Sequence, residues 1–156
     1  MPGIGMLSVD DQMAIEGLLK DFLGKSEAQW AALVDRGGNL FAEYGQLGGP
    51  DVTILSALAA GSFAATRELA KRLGEQEFTA LYHEGGRICI LMTSLHFDCL
   101  LLTVFGEKTN IGLVRFYAQQ SAATLNACLQ NASEAASTVA PLQVESELSS
   151  GQSIIG

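Results

Sequence analysis

The chain has few basic residues and no long apolar run. Its 156 residues include 9 Lys and Arg against 17 Asp and Glu, which gives a net charge of -8 at pH 7. This acidic balance offers no electrostatic footprint for nucleic acid or for an anionic membrane surface. The uncharged stretch 52–66 is 15 residues long and contains several Ser and Thr, so it is too short and too polar to cross a bilayer. We therefore expect neither a nucleic-acid partner nor a membrane partner.

Cysteine is also scarce. Cys89, Cys99 and Cys128 show no C-x-x-C spacing, and each lies in an apolar segment, which predicts reduced core thiols in a cytoplasmic protein. The first residues have neither the basic start nor the apolar core of a signal peptide, which favours the same compartment. His83 and His96 stand 13 residues apart with no ligand pattern around them, so we expect no metal site.

The sequence lacks a complete phosphate-binding loop. In the segment Val104–Asn110 (V-F-G-E-K-T-N), a glutamate separates the glycine from the lysine, and Leu101 stands where the first glycine of the motif belongs. We expect no nucleotide cofactor, and Thr109 or Asn110 is predicted to cap the next helix. No carboxylate pair, nucleophile–base set or metal cluster stands out, so no catalytic site and no enzyme activity are predicted.

The hydrophobic periodicity predicts an α+β fold with the order αββαβββα, in which helices flank a five-stranded antiparallel sheet. The last strand is the most apolar and is expected to be central, whereas the first strand after the long helix is expected at an edge. The predicted helices cover 9–24, 52–73 and 111 to about 129, and the predicted strands cover 29–35, 39–45, 78–83, 87–94 and 97–105.

We predict one domain over residues 8–130 and a flexible acidic tail over 131–156. The tail is rich in Ser, Ala and Glu, its pattern has no period, and Pro141 is expected to block a helix. The alternative is that its few apolar residues dock on a partner; these are Leu142, Val144 and Leu148.

The long helix carries two apolar stripes. The stripe expected against the sheet consists of Leu55, Leu58, Ser62, Ala65, Leu69 and Leu73. A second stripe of smaller residues, on a neighbouring face, consists of Ile54, Ala57, Gly61 and Ala64. Small residues let helix axes approach closely, and a copy of the same helix in a two-fold dimer is the economical partner. The alternative is a central helix buried within one domain.

Several motifs resemble the Roadblock/LC7 family, over about residues 8–130. They are V-D-R-G-G-N-L at 34–40, L-A-A-G-S-F-A-A-T at 58–66, H-E-G at 83–85 and T-N-I-G-L-V-R at 109–115. Within the family, the sequence is most similar to the bacterial MglB-type proteins, which regulate small Ras-like GTPases of the MglA type. The resemblance implies a profilin-like Roadblock/LC7 fold and a homodimer joined through the second helix and the third strand. The implied dimer residues are Ile54, Ala57, Gly61, Ala64, Glu68, Phe78 and Leu81.

The resemblance also implies a function. MglB-like dimers bind the GTP form of the GTPase, bind no nucleotide themselves, and accelerate hydrolysis by rearranging the catalytic residues of the GTPase. We therefore expect a cytoplasmic GTPase activator that acts in cell polarity. The basic residues Arg67, Lys71 and Arg72 are the candidate contacts with the GTPase. The alternative is a roadblock scaffold that holds a GTPase or another complex without changing turnover.

Overall fold

A computed structural model describes the backbone of residues 7–155 and the side chains of residues 7–136. Its order is the predicted αββαβββα, with one added 3-10 helix, so the α+β fold class is confirmed. The elements are α1 (Val9–Ser26), β1 (Trp30–Val34), β2 (Leu40–Gly45), α2 (Val52–Arg72), β3 (Ala80–Glu84), β4 (Cys89–Ser94), the 3-10 helix η1 (His96–Asp98), β5 (Leu100–Phe105) and α3 (Ile111–Ile155).

The five strands form one antiparallel sheet in the order β2-β1-β5-β4-β3. The last strand, β5, is central, and β3 is an edge strand, as predicted. The predicted strand 97–105 is too long at its start, because η1 occupies residues 96–98. Phe78 precedes β3 instead of lying in it. Apolar residues alone do not distinguish a strand from the turn that leads into it.

The two faces of the sheet are covered by different layers. On one face, α1 and α3 bury a core with Leu33, Leu91, Leu101 and Phe105 from the strands. On the other face, α2 alone packs over strand residues such as Trp30 and Leu102. The strands β1 and β5 are buried on both faces, which explains their continuous apolar runs.

The start of α1 has the predicted cap. Ser8 Oγ accepts a hydrogen bond from the backbone N–H of Asp11 at 3.0 Å, and Asp11 Oδ2 accepts one from the N–H of Ser8 at 3.1 Å. Asp10 and Asp11 place negative charge in the first turn, where the helix dipole favours it. This capping box therefore sets where the first helical layer begins.

The helix α3 does not end near Leu129 as the pattern predicted. Its backbone continues to Ile155, and Ala132 still lies in the core with 5% exposure. The expectation that Pro141 blocks a helix is also wrong, since the backbone is helical on both sides of it. The alanines between Leu129 and Pro141 favour helix but add little to an apolar stripe, which explains why the first part of this extension was missed. Leu142, Val144 and Leu148 lie outside the part whose side chains are described, so the docking alternative and the domain limit at residue 130 stay predictions.

Candidate interaction surface

The helix α2 touches the sheet through small side chains and one aromatic ring. Asp51 caps its start, where Oδ1 accepts a hydrogen bond from Thr53 N–H at 2.9 Å. The buried face consists of Ser56, Ala59, Ala60 and Phe63. The Ser56 hydroxyl is satisfied within the helix, because it donates to the Val52 carbonyl at 2.7 Å.

The stripe predicted to face the sheet points away from it. Leu58 is 65% exposed, Leu69 is 59% exposed and Leu73 is 75% exposed. The reason is a close approach to the β1–β2 turn: a Cβ added at Gly38, whose φ is +85°, would lie 2.7 Å from the Cα of Ala57. At so short a distance the inner face suits alanine and serine. The larger aliphatic side chains of α2 therefore lie outside.

An open apolar groove lies beside this exposed face, between α2 and the strands β3 and β4. Its volume is about 410 Å³. The α2 wall includes Leu55 and Leu58, and the strand side includes Leu81, Ile90 and Met92. Since α2 is the one described helix on this face, the apolar surface over β3 and β4 is only partly covered.

The strand β3 borders the groove and has an unpaired edge. Among the described strands it pairs only with β4, from Ala80 opposite Thr93 to Glu84 opposite Cys89. The Tyr82 hydroxyl donates to Cys89 Sγ at 3.5 Å, and this hydrogen bond is the main cause that raises the pKa of Tyr82 to about 12. The outer N–H and C=O groups of β3 are able to pair with another strand.

The predicted dimer residues fall into two groups. Those on α2 are all exposed, with Ile54 at 57%. Phe78 and Leu81 are half-buried, since Leu81 lines the groove and the Phe78 ring lies 4.9 Å from that of Phe63. The exposed α2 residues of this set are Ile54, Ala57, Gly61, Ala64 and Glu68. The structure describes a single chain, so the role of these residues in a dimer stays a prediction.

The three basic residues predicted to meet a GTPase occupy different environments. Arg67 is packed partly against its own fold, so its contact with a GTPase stays a prediction. Its side chain is 26% exposed, pairs with Asp98 at 3.2 Å and lies 5.3 Å from the centre of the Phe63 ring. Arg72 is exposed and pairs with Glu68 at 3.3 Å, and Lys71 is exposed. Helical spacing alone did not reveal that Arg67 turns toward a residue 31 positions away.

Sequence reasoning missed the carboxylate that joins two arginines. Asp98 lies in η1 and binds both Arg67 from α2 and Arg36 from the β1–β2 turn, the latter at 3.0 Å. Phe97 and Asp98 both have positive φ, at 59° and 56°. Such backbone is rare for residues other than glycine. No local motif marks this site, because its three parts are far apart in the sequence.

The turn between β5 and α3 caps the helix. Asn110 Oδ1 accepts a hydrogen bond from the N–H of Leu113 at 3.0 Å, which confirms the predicted cap. Within residues 7–136, no group of three or more His, Cys, Asp or Glu side chains is arranged to hold a metal ion. No helix in the described part of the chain is long and apolar enough to span a membrane.

Comparison with known proteins identifies the family. A model of the Roadblock/LC7 domain matches residues 14–105, which is more than half of the chain. The chain belongs to the Roadblock/LC7 family. A search of curated protein sequences found no match for this roadblock domain.

Solved structures give a more specific likeness. Myxococcus xanthus MglB is 30% identical with a TM-score of 0.76, and the match covers 81% of this roadblock chain and 95% of that chain. A structure described as MglB with tetrameric arrangement is 28% identical, with coverage of 85% and 99% and a TM-score of 0.78. The gliding protein MglB from Thermus thermophilus is also 28% identical, with coverage of 84% and 99% and a TM-score of 0.75.

A more distant likeness confirms the profilin-like architecture. Acanthamoeba castellanii profilin IB is 18% identical with a TM-score of 0.54, and the match covers 72% of this chain and 96% of that chain. At that identity, the similarity shows the fold alone. The MglB structures therefore carry the functional comparison, because this roadblock domain is similar to them over more than four fifths of its length.

Proposed function

We propose that this protein is a homodimeric regulator that activates a small Ras-like GTPase of the MglA type. The observation that carries the proposal is the unpartnered apolar surface formed by α2, the groove and the edge of β3. This surface lies on a fold whose similar structures include MglB at 28–30% identity. A regulator needs no catalytic side chains of its own, because the reacting groups belong to its partner.

The dimer joins the two elements that lack partners. Two β3 strands pair at their edges and extend the sheet, while the α2 helices meet face to face and cover the groove. Ile54, Leu58 and Leu69 are each more than half exposed in the single chain. Full burial of an aliphatic side chain of this size stabilises by about 1.5–3 kcal/mol. Three such residues on each copy supply a large part of what a stable dimer needs.

The centre of the proposed interface lies beside the small-residue stripe predicted from sequence. Leu55, Leu58 and Ser62 line the groove, and Ile54 and Gly61 flank them on the exposed face. Ala57 and Ala64 lie on the far side of the helix from the groove. We therefore keep Ile54, Gly61, Phe78 and Leu81 in the proposed interface and place Ala57 and Ala64 outside it.

The GTPase function rests on phosphate chemistry in the partner. The turn at 106–110 of this chain caps α3 and lacks the glycine pattern of a phosphate loop. The proposed role is to bind the GTP-loaded GTPase and to rearrange its catalytic residues. The chain then changes the rate of hydrolysis without contacting the nucleotide.

Phosphate release tests this function directly. The purified protein is mixed with an MglA-type GTPase preloaded with GTP, and free phosphate is followed over time. Stimulated release supports the proposal. Binding without stimulation identifies a scaffold instead, and no binding in either nucleotide state refutes a role with this class of GTPase.

A further inference from the structure

One carboxylate holds two guanidinium groups at one end of the sheet. Asp98 Oδ2 accepts a hydrogen bond from Arg36 Nη1 at 3.0 Å, and Asp98 Oδ1 accepts one from Arg67 Nη1 at 3.2 Å. Because two cations share one anion, the triad keeps one positive charge. The whole chain carries a net charge of -8, so this cation lies on a protein that is acidic overall.

The two arginines are held to different degrees. Arg67 is 26% exposed and packs over the Phe63 ring, so it is part of the fold. Arg36 is 66% exposed, and Asp98 is its acceptor in the described part of the chain. A guanidinium has five N–H groups in a planar fork, so most donors of Arg36 face solvent. Arg36 is therefore the member of the triad that can bind another group.

The backbone around Asp98 has an unusual shape that sets this geometry. Phe97 and Asp98 take consecutive left-handed conformations. Residues other than glycine in this region cost of order 1–3 kcal/mol each, and such strain clusters at functional sites. Here the strained pair presents a carboxylate to arginines that come from the β1–β2 turn and from α2.

The triad lies away from the proposed dimer surface. Val34 and Ser94 both pair with Leu100, so the β1–β2 turn and η1 share one end of the sheet. In the order β1-β5-β4-β3, three strand spacings separate β1 from the β3 edge. At about 4.8 Å per strand, this is a distance of about 14 Å. Pairing at the β3 edge therefore leaves Arg36 accessible, and the β1–β2 turn approaches α2 at Ala57, on the side away from the groove.

We propose that Arg36, positioned by Asp98 and Arg67, binds an acidic side chain of the partner GTPase. This contact rests on the proposed function. It assigns to Arg36 the role in GTPase binding that the sequence analysis had assigned to Arg67, Lys71 and Arg72. A planar guanidinium pairs with a carboxylate through two parallel hydrogen bonds, which orients the partner as well as attracting it. The net charge of -8 repels an acidic partner in general, so a fixed guanidinium at the contact favours one orientation of that partner.

The test measures the affinity of the full chain for an MglA-type GTPase loaded with a non-hydrolysable GTP analogue. Arg36→Ala is expected to weaken binding about tenfold, because a charge-assisted contact is lost. Arg36→Lys is expected to fall between, since it keeps the charge but not the fork. The difference between wild type and Arg36→Ala should shrink at high salt.

Arg87→Ala is the matched control. Arg87 lies in the β3–β4 turn, beside the pair Cys89 and Phe105, at the opposite end of the sheet. The Arg87→Ala variant removes the same charge as Arg36→Ala. It is expected to change the affinity less than about twofold, because a charge outside the contact is screened by salt. Equal affinities of wild type and Arg36→Ala would overturn the inference, as would an equal loss in both variants.

Two further results separate the possible failures. Arg36→Ala should have the melting temperature of wild type and the same mass of the assembly in solution, because the Arg36 side chain is mostly in solvent. A variant that melts earlier or changes mass points to a structural role and overturns the contact. Wild type that binds the GTPase in no nucleotide state refutes the proposed function, and this inference with it.

Discussion

Arg67 and Arg72 lie five positions apart near the end of α2, yet their surroundings differ. Arg67 is 26% exposed and contacts both Asp98 and the Phe63 ring. Arg72 is 78% exposed and pairs with Glu68 one helical turn away. An arginine therefore stabilises the tertiary fold at position 67, whereas at position 72 it only makes an exposed ion pair within its own helix. The difference lies in tertiary contacts and not in residue type.

Arg67→Ala is expected to lower the free energy of unfolding by about 1–2 kcal/mol, because it removes a partly buried ion pair and a cation–π contact. Urea denaturation measures the change. Arg72→Ala is the control and is expected to cost less than about 0.5 kcal/mol, as an exposed pair at i,i+4 does. Equal costs in the two variants would contradict the assigned roles.

Because of Cys99, the free energy of unfolding is expected to fall at alkaline pH. Burial, followed by the charges of Asp35 and Asp98, raises the pKa of its thiol to about 12 from an ordinary value of 9.0. Between these values the unfolded chain loses the proton while the folded chain keeps it. The stabilisation is therefore complete below pH 9 and declines as pH rises toward 12.

We expect wild type to lose about 1 kcal/mol more than Cys99→Ala between pH 8 and pH 10, because one thiol in the unfolded state ionises. Urea denaturation of both variants at each pH gives this difference. The alanine variant is less stable throughout, since it leaves a cavity, so the comparison uses the pH dependence and not the absolute stability. An identical pH dependence in both variants would show that Cys99 is not buried as described.

At the scale of elements, α2 is amphipathic in an unusual sense. Its inner face is small, with Ala59 and Ala60, and its outer face carries the large aliphatic residues. A surface helix normally shows the reverse arrangement. The reversal fits a helix that lies close to its own sheet and keeps its larger apolar area for a second molecule.

Leu58→Glu is expected to convert the dimer to monomer, because it places a charge at the centre of the proposed contact. Light scattering should report half the mass. Circular dichroism should show a folded chain, since Leu58 is already 65% exposed within one copy. A dimer that persists in this variant would rule out the face that carries Leu58.

Ala64→Glu separates the two candidate stripes. Ala64 is exposed on the side of α2 away from the groove, so the charge is expected to leave the dimer intact. If Ala64→Glu forms monomers and Leu58→Glu does not, the small-residue stripe predicted from sequence is the interface. The two variants add the same charge to the same helix, so a difference in mass reports position alone.

At the scale of the whole molecule, the faces of the sheet are unequally covered. Two helices cover one face, and α2 alone covers the other. In the proposed dimer, a second copy covers the remaining apolar area and adds stability. Folding and assembly are then linked, and the stability of the folded state depends on protein concentration.

The melting temperature is therefore expected to rise with protein concentration. Each tenfold increase adds about 1.4 kcal/mol to the free energy of unfolding per mole of dimer. Calorimetry over two or more decades of concentration measures the trend. Leu58→Glu should remove it. A melting temperature of wild type that does not depend on concentration would contradict linked dimerisation.

Much of the fold followed from the sequence because it depends on local signals. The cap at Ser8, the continuous apolar runs of β1 and β5, and the edge character of the short β3 were all visible in spacing and composition. The motifs at 34–40 and 58–66 were enough to indicate the family. The continuation of α3 past Leu129 was missed, because the alanines up to Ala140 contribute to helix propensity but hardly to an apolar stripe, and Pro141 did not end the helix.

The candidate surface was only partly predictable. The sequence by itself determined that α2 has more apolar area than one sheet requires, and that β3 is an edge strand. Only the tertiary structure decided which stripe faces inward, because that depends on how closely Gly38 lets α2 approach the hairpin. It also decided the role of Arg36, since Asp98 joins it to Arg67 across separations of 62 and 31 residues. Sequence periodicity predicts contacts between residues one or two helical turns apart. The triad joins residues far apart in the sequence, so it forms only when the chain has folded.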